Sequence, residues 1–149
     1  MNDIQEPKVT NQLLDLKSVS LSVLPHNAQS ATQTLPNDQL ICAVSGSTNV
    51  HMVTGWQRYL MYAGEAFPNG DDCPNNASPL DLSQGISHTR VHSVALDKGD
   101  CVYVPPYWWF QVETPEQETN QINAIVKYTY VESTTWVDML MYGMENGLI

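Results

Sequence analysis

The chain has 149 residues, a formal net charge of -10, 15% charged residues and 42% hydrophobic ones, which suits one domain with one sizeable core. Its six basic residues, Lys8, Lys17, Arg58, Arg90, Lys98 and Lys127, are scattered singly. That excludes the clustered cationic surface by which proteins hold nucleic acid or an anionic membrane.

A membrane-spanning helix needs about 20 consecutive apolar residues. The charge-free stretch from Gln39 to Gln57 is interrupted by Ser45, Ser47, Thr48, Asn49 and His51, so no direct span is expected. Met1 is followed by Asn2-Asp3-Ile4-Gln5-Glu6-Pro7, with neither the cationic start nor the apolar run of a targeting signal. An intracellular compartment is the expectation, an organelle included. Cys42, Cys73 and Cys101 are odd in number and share no metal-binding spacing, so they read as free thiols in a reducing compartment, Cys42 and Cys101 in the core.

Residues 1–17 form a polar N-terminal arm with a short Leu13-Leu14 pair. Val19 to Leu24 alternates apolar and polar residues, the period of a half-buried strand. Leu40 to Val44 predicts a second strand, closed by Ser45-Gly46-Ser47, with Asn49 to Val53 as its hairpin partner. Residues 67–87, rich in Pro, Asn, Asp, Gly and Ser, predict a long surface loop. Thr89 to Leu96 predicts a strand that ends at the turn Asp97-Lys98-Gly99-Asp100.

Cys101 to Val104 and Trp108 to Val112 are apolar runs separated by Pro105-Pro106. Ile122 to Val131 alternates again, with Ile122, Ala124, Val126, Tyr128 and Tyr130 on one face. Only 133–149 predicts a helix, with Ser133 or Thr134 as its cap and Trp136, Val137, Leu140 and Met144 at helical spacing. Short strands, frequent turns and one terminal helix predict an all-β barrel or jelly roll over 18–132, followed by a C-terminal helix and tail.

The stretch Gly99-Asp100-Cys-Val-Tyr-Val-Pro105-Pro106-Tyr107-Trp108-Trp109-Phe110-Gln111-Val112 resembles the second motif of the cupin superfamily. It has the form found in JmjC-type, 2-oxoglutarate-dependent oxygenases, where a Gly-Asp turn, a proline-ended strand and a Trp-Trp-His triplet follow one another. Asp38 to Gly46 is similar to the strand after that family's iron-binding HxD pair. The resemblance covers roughly residues 33–145 and implies a double-stranded β-helix.

It also implies where the chemistry should be. In such oxygenases two histidines and a carboxylate hold Fe(II) with open positions for cosubstrate and oxygen. The resemblance places the first His and the carboxylate at Gln33 and Leu35, and the second His at Phe110. The lysine that grips 2-oxoglutarate falls at Thr48. None of the four is the required residue, so no metal, no cofactor and no catalytic residue is expected, and Phe110 is expected to fill the space of the missing ion.

The expected function is therefore that of a non-catalytic cupin, a pseudo-oxygenase serving as a structural or protein-interaction subunit of a larger assembly or a homodimer. Trp136, Met139, Leu140, Tyr142 and Met144 are the interface candidates, because they surround most of the predicted helix and interfaces favour such residues. Two rivals stand beside it. One is an Fe(II)/2-oxoglutarate hydroxylase or metal cupin with displaced ligands, which needs His26, His51 or His88 to converge with a carboxylate. The other is a metal-free cupin that binds a small ligand. His88 and His92, four apart in an extended strand, are about 13 Å apart and cannot share one ion. Asp71-Asp72, Glu113, Glu116 and Glu118 read as solvated.

Overall fold

The computed structural model describes residues 14–55, 60–64, 74–115 and 122–132. Their strands form two antiparallel sheets. One has the order β1 (Leu14–Leu24), β9 (Asn123–Glu132), β3 (Asp38–Ser45), β7 (Cys101–Val104). The other has the order β5 (Ala77–Ser78), β2 (Thr32–Thr34), β8 (Trp109–Glu113), β4 (Ser47–Val53), β6 (His92–Asp97). The protein is all-β, as expected, and strands β1 to β4 alternate between the two sheets.

That alternation overturns the expected hairpin. Leu40–Val44 and Asn49–Val53 are consecutive in sequence, yet β3 pairs with β7 and β9 while β4 pairs with β6 and β8. Gly46, at φ 74°, turns the chain from one sheet to the other. A β-carbon there would run into Asn123, whose Oδ1 accepts the Ser47 N–H at 3.3 Å. A positive φ and a side chain packed against the backbone together demand glycine.

The period-2 pattern now has a direction. Val50 and Met52 on β4, Phe110 and Val112 on β8 and Leu96 on β6 face Ile41 and Ala43 on β3, Val104 on β7 and Ile125 on β9. This is the core between the sheets, and burying each such large side chain contributes about 1.5–3 kcal/mol. The odd residues face the other way: Val53 and Trp109 pack with Met61 and Leu82 on the outer side of the five-stranded sheet.

The cover over that outer side corrects a second expectation. The described part of the expected surface loop, 74–87, is built into the sandwich. Its Ala77–Ser78 pairs with β2, and Ser78 and Leu82 are buried. Asp81 caps the 3-10 helix Leu82–Gln84, and Thr32 of β2 ties the segment to the sheet by donating from its Oγ1 to the Leu80 carbonyl at 2.7 Å. Gln111 fastens the layer, accepting the Leu82 N–H at 2.7 Å and donating to the Ser30 carbonyl at 3.1 Å.

Two further expectations change. The strand predicted from Thr89 begins at His92, because Ile86 and Thr89 bridge around a turn that holds Ser87 and His88. Cys42 and Cys101 are not free core thiols but a disulfide between register partners on β3 and β7. Direct cross-strand pairing brings them together, which local sequence does not reveal, and it removes the cysteine argument for a reducing compartment. The predicted C-terminal helix and its candidates Trp136, Met139, Leu140, Tyr142 and Met144 lie outside the described residues, as do Asp71, Asp72 and Cys73.

Candidate functional site

The inner face of the five-stranded sheet carries one row of register partners, His92, Met52, Phe110 and Gln33. Two of the three positions matched to metal ligands are thus brought together: Gln33 and Phe110 are directly opposed on β2 and β8. The third, Leu35, packs against the core cluster that contains Phe110. Phe110 is 1% exposed. Thr48, in register with Leu96, is fully buried and its Oγ1 has no hydrogen-bond partner among the described residues.

A phenyl ring, an alkyl chain and a carboxamide supply neither imidazole nor carboxylate, so these positions do not fit Fe(II). Thr48 has no charge to offer the carboxylate of a cosubstrate. His92 shares the row but stands two strands from Phe110, roughly 9–10 Å away at the usual strand spacing. It instead packs against the Trp108 ring, with centroids 6.0 Å apart.

The other histidines diverge. His26 contacts Asn123 Nδ2 at 3.4 Å. His88 lines an open cleft of about 300 Å³ with Tyr62, Leu80 and Asp81. His51 points away from the inter-sheet core, where Nε2 lies 2.9 Å from Glu113 Oε2 and Nδ1 lies 2.8 Å from Ser93 Oγ. A neutral ring protonated on Nε2 satisfies both, donating to the carboxylate and accepting from the hydroxyl. Glu113 is therefore held by His51 and not simply solvated. Glu116 and Glu118 lie outside the described residues. No group of three or more His, Cys, Asp or Glu side chains among the described residues could hold a metal ion.

The Ser93, His51 and Glu113 trio was not legible in sequence, since its members are 20 to 62 positions apart and only cross-strand register unites them. Its order of groups is that of an activated serine. Yet Ser93 is exposed on edge strand β6, and neither cleft described here includes it.

The second cleft, about 290 Å³, is lined by Gly55, Pro106, Tyr107 and Trp108. Tyr107 holds φ 64° and donates its N–H to the Leu35 carbonyl at 2.7 Å, tying the Pro105-Pro106 turn to the end of β2. Gly55 approaches the Tyr107 carbonyl so closely that a β-carbon would collide with it. On β9, burial lowers the Lys127 amine below its ordinary value.

Two antiparallel sheets around an apolar interior, with the Gly-Asp turn and aromatic strand on facing sheets, define a cupin-type sandwich. The model of the cupin-like domain matches residues 3–135, and the chain belongs to that family. No curated protein sequence matches the chain.

Among solved structures, the chain is similar to Drosophila melanogaster CENP-C bound to CAL1, at 8% identity, TM-score 0.46, over 74% of this chain and 60% of that one. It is also similar to hydroquinone 1,2-dioxygenase from Sphingomonas sp. TTNP3 with 4-hydroxybenzoate bound, at 10% identity, TM-score 0.45, over 83% of this chain and 63% of that one. The chain thus spans less than two thirds of the length of either. Among the described residues, no helix is long and apolar enough to cross a membrane.

Proposed function

We propose that this chain is a non-catalytic cupin, a double-stranded β-helix that serves as a structural or protein-interaction subunit in an assembly or homodimer. The observation that carries this reading is the opposition of Gln33 and Phe110. The place where the fold would gather metal ligands is occupied by a buried phenyl ring, with Leu35 packed against the same cluster. Packing has replaced coordination at that point.

The interaction half of the reading draws on β1. This edge strand exposes Leu16, Val19, Leu21 and Val23 on one face. A long apolar edge strand invites pairing or cover by another surface. The low charge fraction fits the same role, since charges are depleted in interface cores.

The test is metal analysis of protein purified without chelators and then incubated with Fe(II) or Zn(II), alongside a 2-oxoglutarate turnover assay. No stoichiometric ion and no turnover are expected. One ion per chain, lost on His51→Ala or His92→Ala, would overturn the proposal in favour of a displaced metal site.

A further inference from the structure

One corner of the inner face of the four-stranded sheet is polar. On β9, Val126, Tyr128 and Tyr130 form the outer cluster, so Ile125, Lys127 and Thr129 alternate toward the inter-sheet core. Register sets Ile41 and Gln39 of β3 beside Lys127 and Thr129 on one flank, and Ser20 and Ser18 of β1 beside them on the other. A lysine thus stands next to Ile41, a fully buried member of the core.

Two groups at this corner have no partner among the described residues. The first is the Lys127 amine, in a chain with 16 acidic residues against 6 basic. Asp15, the carboxylate that β1 sets on this face, pairs in register with Val131, four residues and about 13 Å along β9 from Lys127. Asp38 points to the outer face, where the Tyr103 hydroxyl donates to its Oδ1. The lowered titration of the amine is the direction expected of a half-buried cation with no carboxylate beside it.

The second is the Gln39 amide. Gln39 sits on an interior strand between Val104 of β7 and Thr129 of β9, facing the other sheet. Its Oε1 accepts from Thr129 Oγ1 at 3.2 Å, and its Nε2 is buried with no acceptor among the described residues. Gln39 and Lys127 are diagonal neighbours on adjacent strands, about 7–8 Å apart for such positions. Both side chains are long enough to meet across that gap on the two oxygens of one carboxylate.

The corner has an entrance and a favourable field. Ser18 and Ser20 are exposed, so the inner face opens to water along β1. Lys17 Nζ, 3.4 Å from Asn37 Oδ1, sets a second ammonium at the same end of the sheet.

We infer that this corner binds a small organic carboxylate, held by Lys127 Nζ and Gln39 Nε2, with Thr129 fixing the amide. A water molecule would satisfy the amide but leave the ammonium uncompensated. One ammonium and one neutral N–H match a single negative charge, whereas a phosphate group carries nearly two and three strong acceptor oxygens. The site lies on β9 and β3, in the other sheet from Thr48 on β4, the position matched to the family's cosubstrate lysine. The inference does not rest on the proposed function, because a carboxylate held without a metal requires no turnover.

The test is calorimetric titration of the full chain with butyrate at millimolar concentration and constant ionic strength, with butyramide and inorganic phosphate as comparators. Butyrate should bind saturably, one per chain, and uncharged butyramide should not. Lys127→Met and Gln39→Leu should each weaken butyrate about tenfold or more, the scale of one hydrogen bond to a charged group. Circular dichroism checks that both variants keep the fold, and Lys127→Met removes a half-buried charge, so its lost binding is not lost folding. In the native protein the Gln39 side-chain amide signal, assigned by its absence from Gln39→Leu, should shift as butyrate is added. No saturable butyrate binding, equal binding of butyramide, or binding that survives Lys127→Met would overturn the site. Phosphate bound more tightly than butyrate would overturn the ligand class.

Discussion

Gln33 on β2 stands directly opposite Phe110 on β8, and Phe110 is sealed into the core with Met52, Val112 and Ile41. The two positions that the sequence resemblance matched to histidine ligands thus face each other across the sheet, one carrying a carboxamide and the other a phenyl ring. If packing is what Phe110 does, its removal should cost stability on the scale of a core aromatic. Phe110→Ala is expected to lose about 3–5 kcal/mol in equilibrium denaturation. Phe110→His should also destabilise, because the imidazole would be buried without a partner. A near-neutral Phe110→His would instead indicate a polar cavity.

The Cys42–Cys101 disulfide closes 59 positions of chain that include β4, β5 and β6. Chain-entropy arguments for a loop of that length give up to about 4 kcal/mol. Cys42→Ser with Cys101→Ser should lower the denaturation midpoint accordingly. Reductant should do the same to the native protein and leave the double variant unchanged. Intact mass before and after reduction checks that the bond is present.

Lys127 lies on β9 between Ser20 of β1 and Ile41 of β3, and burial lowers its amine below the usual 10.5. Between the lowered value and 10.5 the unfolded chain binds more protons than the folded one, so stability rises with pH across that window. Below the window the fold carries the cost of holding a half-buried charge. Lys127→Met should therefore stabilise the protein at pH 7, with the advantage shrinking as pH climbs toward 10.5. Denaturant midpoints of both proteins at pH 7 and pH 10 check the sign.

His51 and Glu113 make an ion pair or neutral hydrogen bond at 2.9 Å, with the His51 ring nearly buried and the carboxylate partly open to water. Such half-solvated pairs couple weakly. A double-mutant cycle with His51→Ala and Glu113→Ala should give no more than about 1 kcal/mol, falling as salt screens it. His51→Ala alone should cost more, about 1–3 kcal/mol, because it also strips a partner from Ser93 and opens the outer layer.

Much of the fold was legible. The alternation in β9 located a strand and its two faces, and Gly99-Asp100 with Pro105-Pro106 bracketed β7 correctly. The hairpin expected around Gly46 was not legible as a crossing, because a turn signal says that the chain reverses and not which sheet receives it. Glu113 looked solvated because its partner His51 is 62 positions away. The stretch 74–87 looked like a loose loop because capping residues and solvated residues have the same composition.

What the sequence alone determined is local and periodic: strand content and the apolar character of the C-terminal segment. These follow from residue type and spacing, which a single chain displays openly; the positions matched to ligands came from the resemblance to a family. The tertiary structure alone decided pairing: Gln33 with Phe110, Cys42 with Cys101, and His51 with Glu113. Register and sheet membership depend on contacts between residues far apart in the chain, and they emerge only when strands compete for neighbours around a common core.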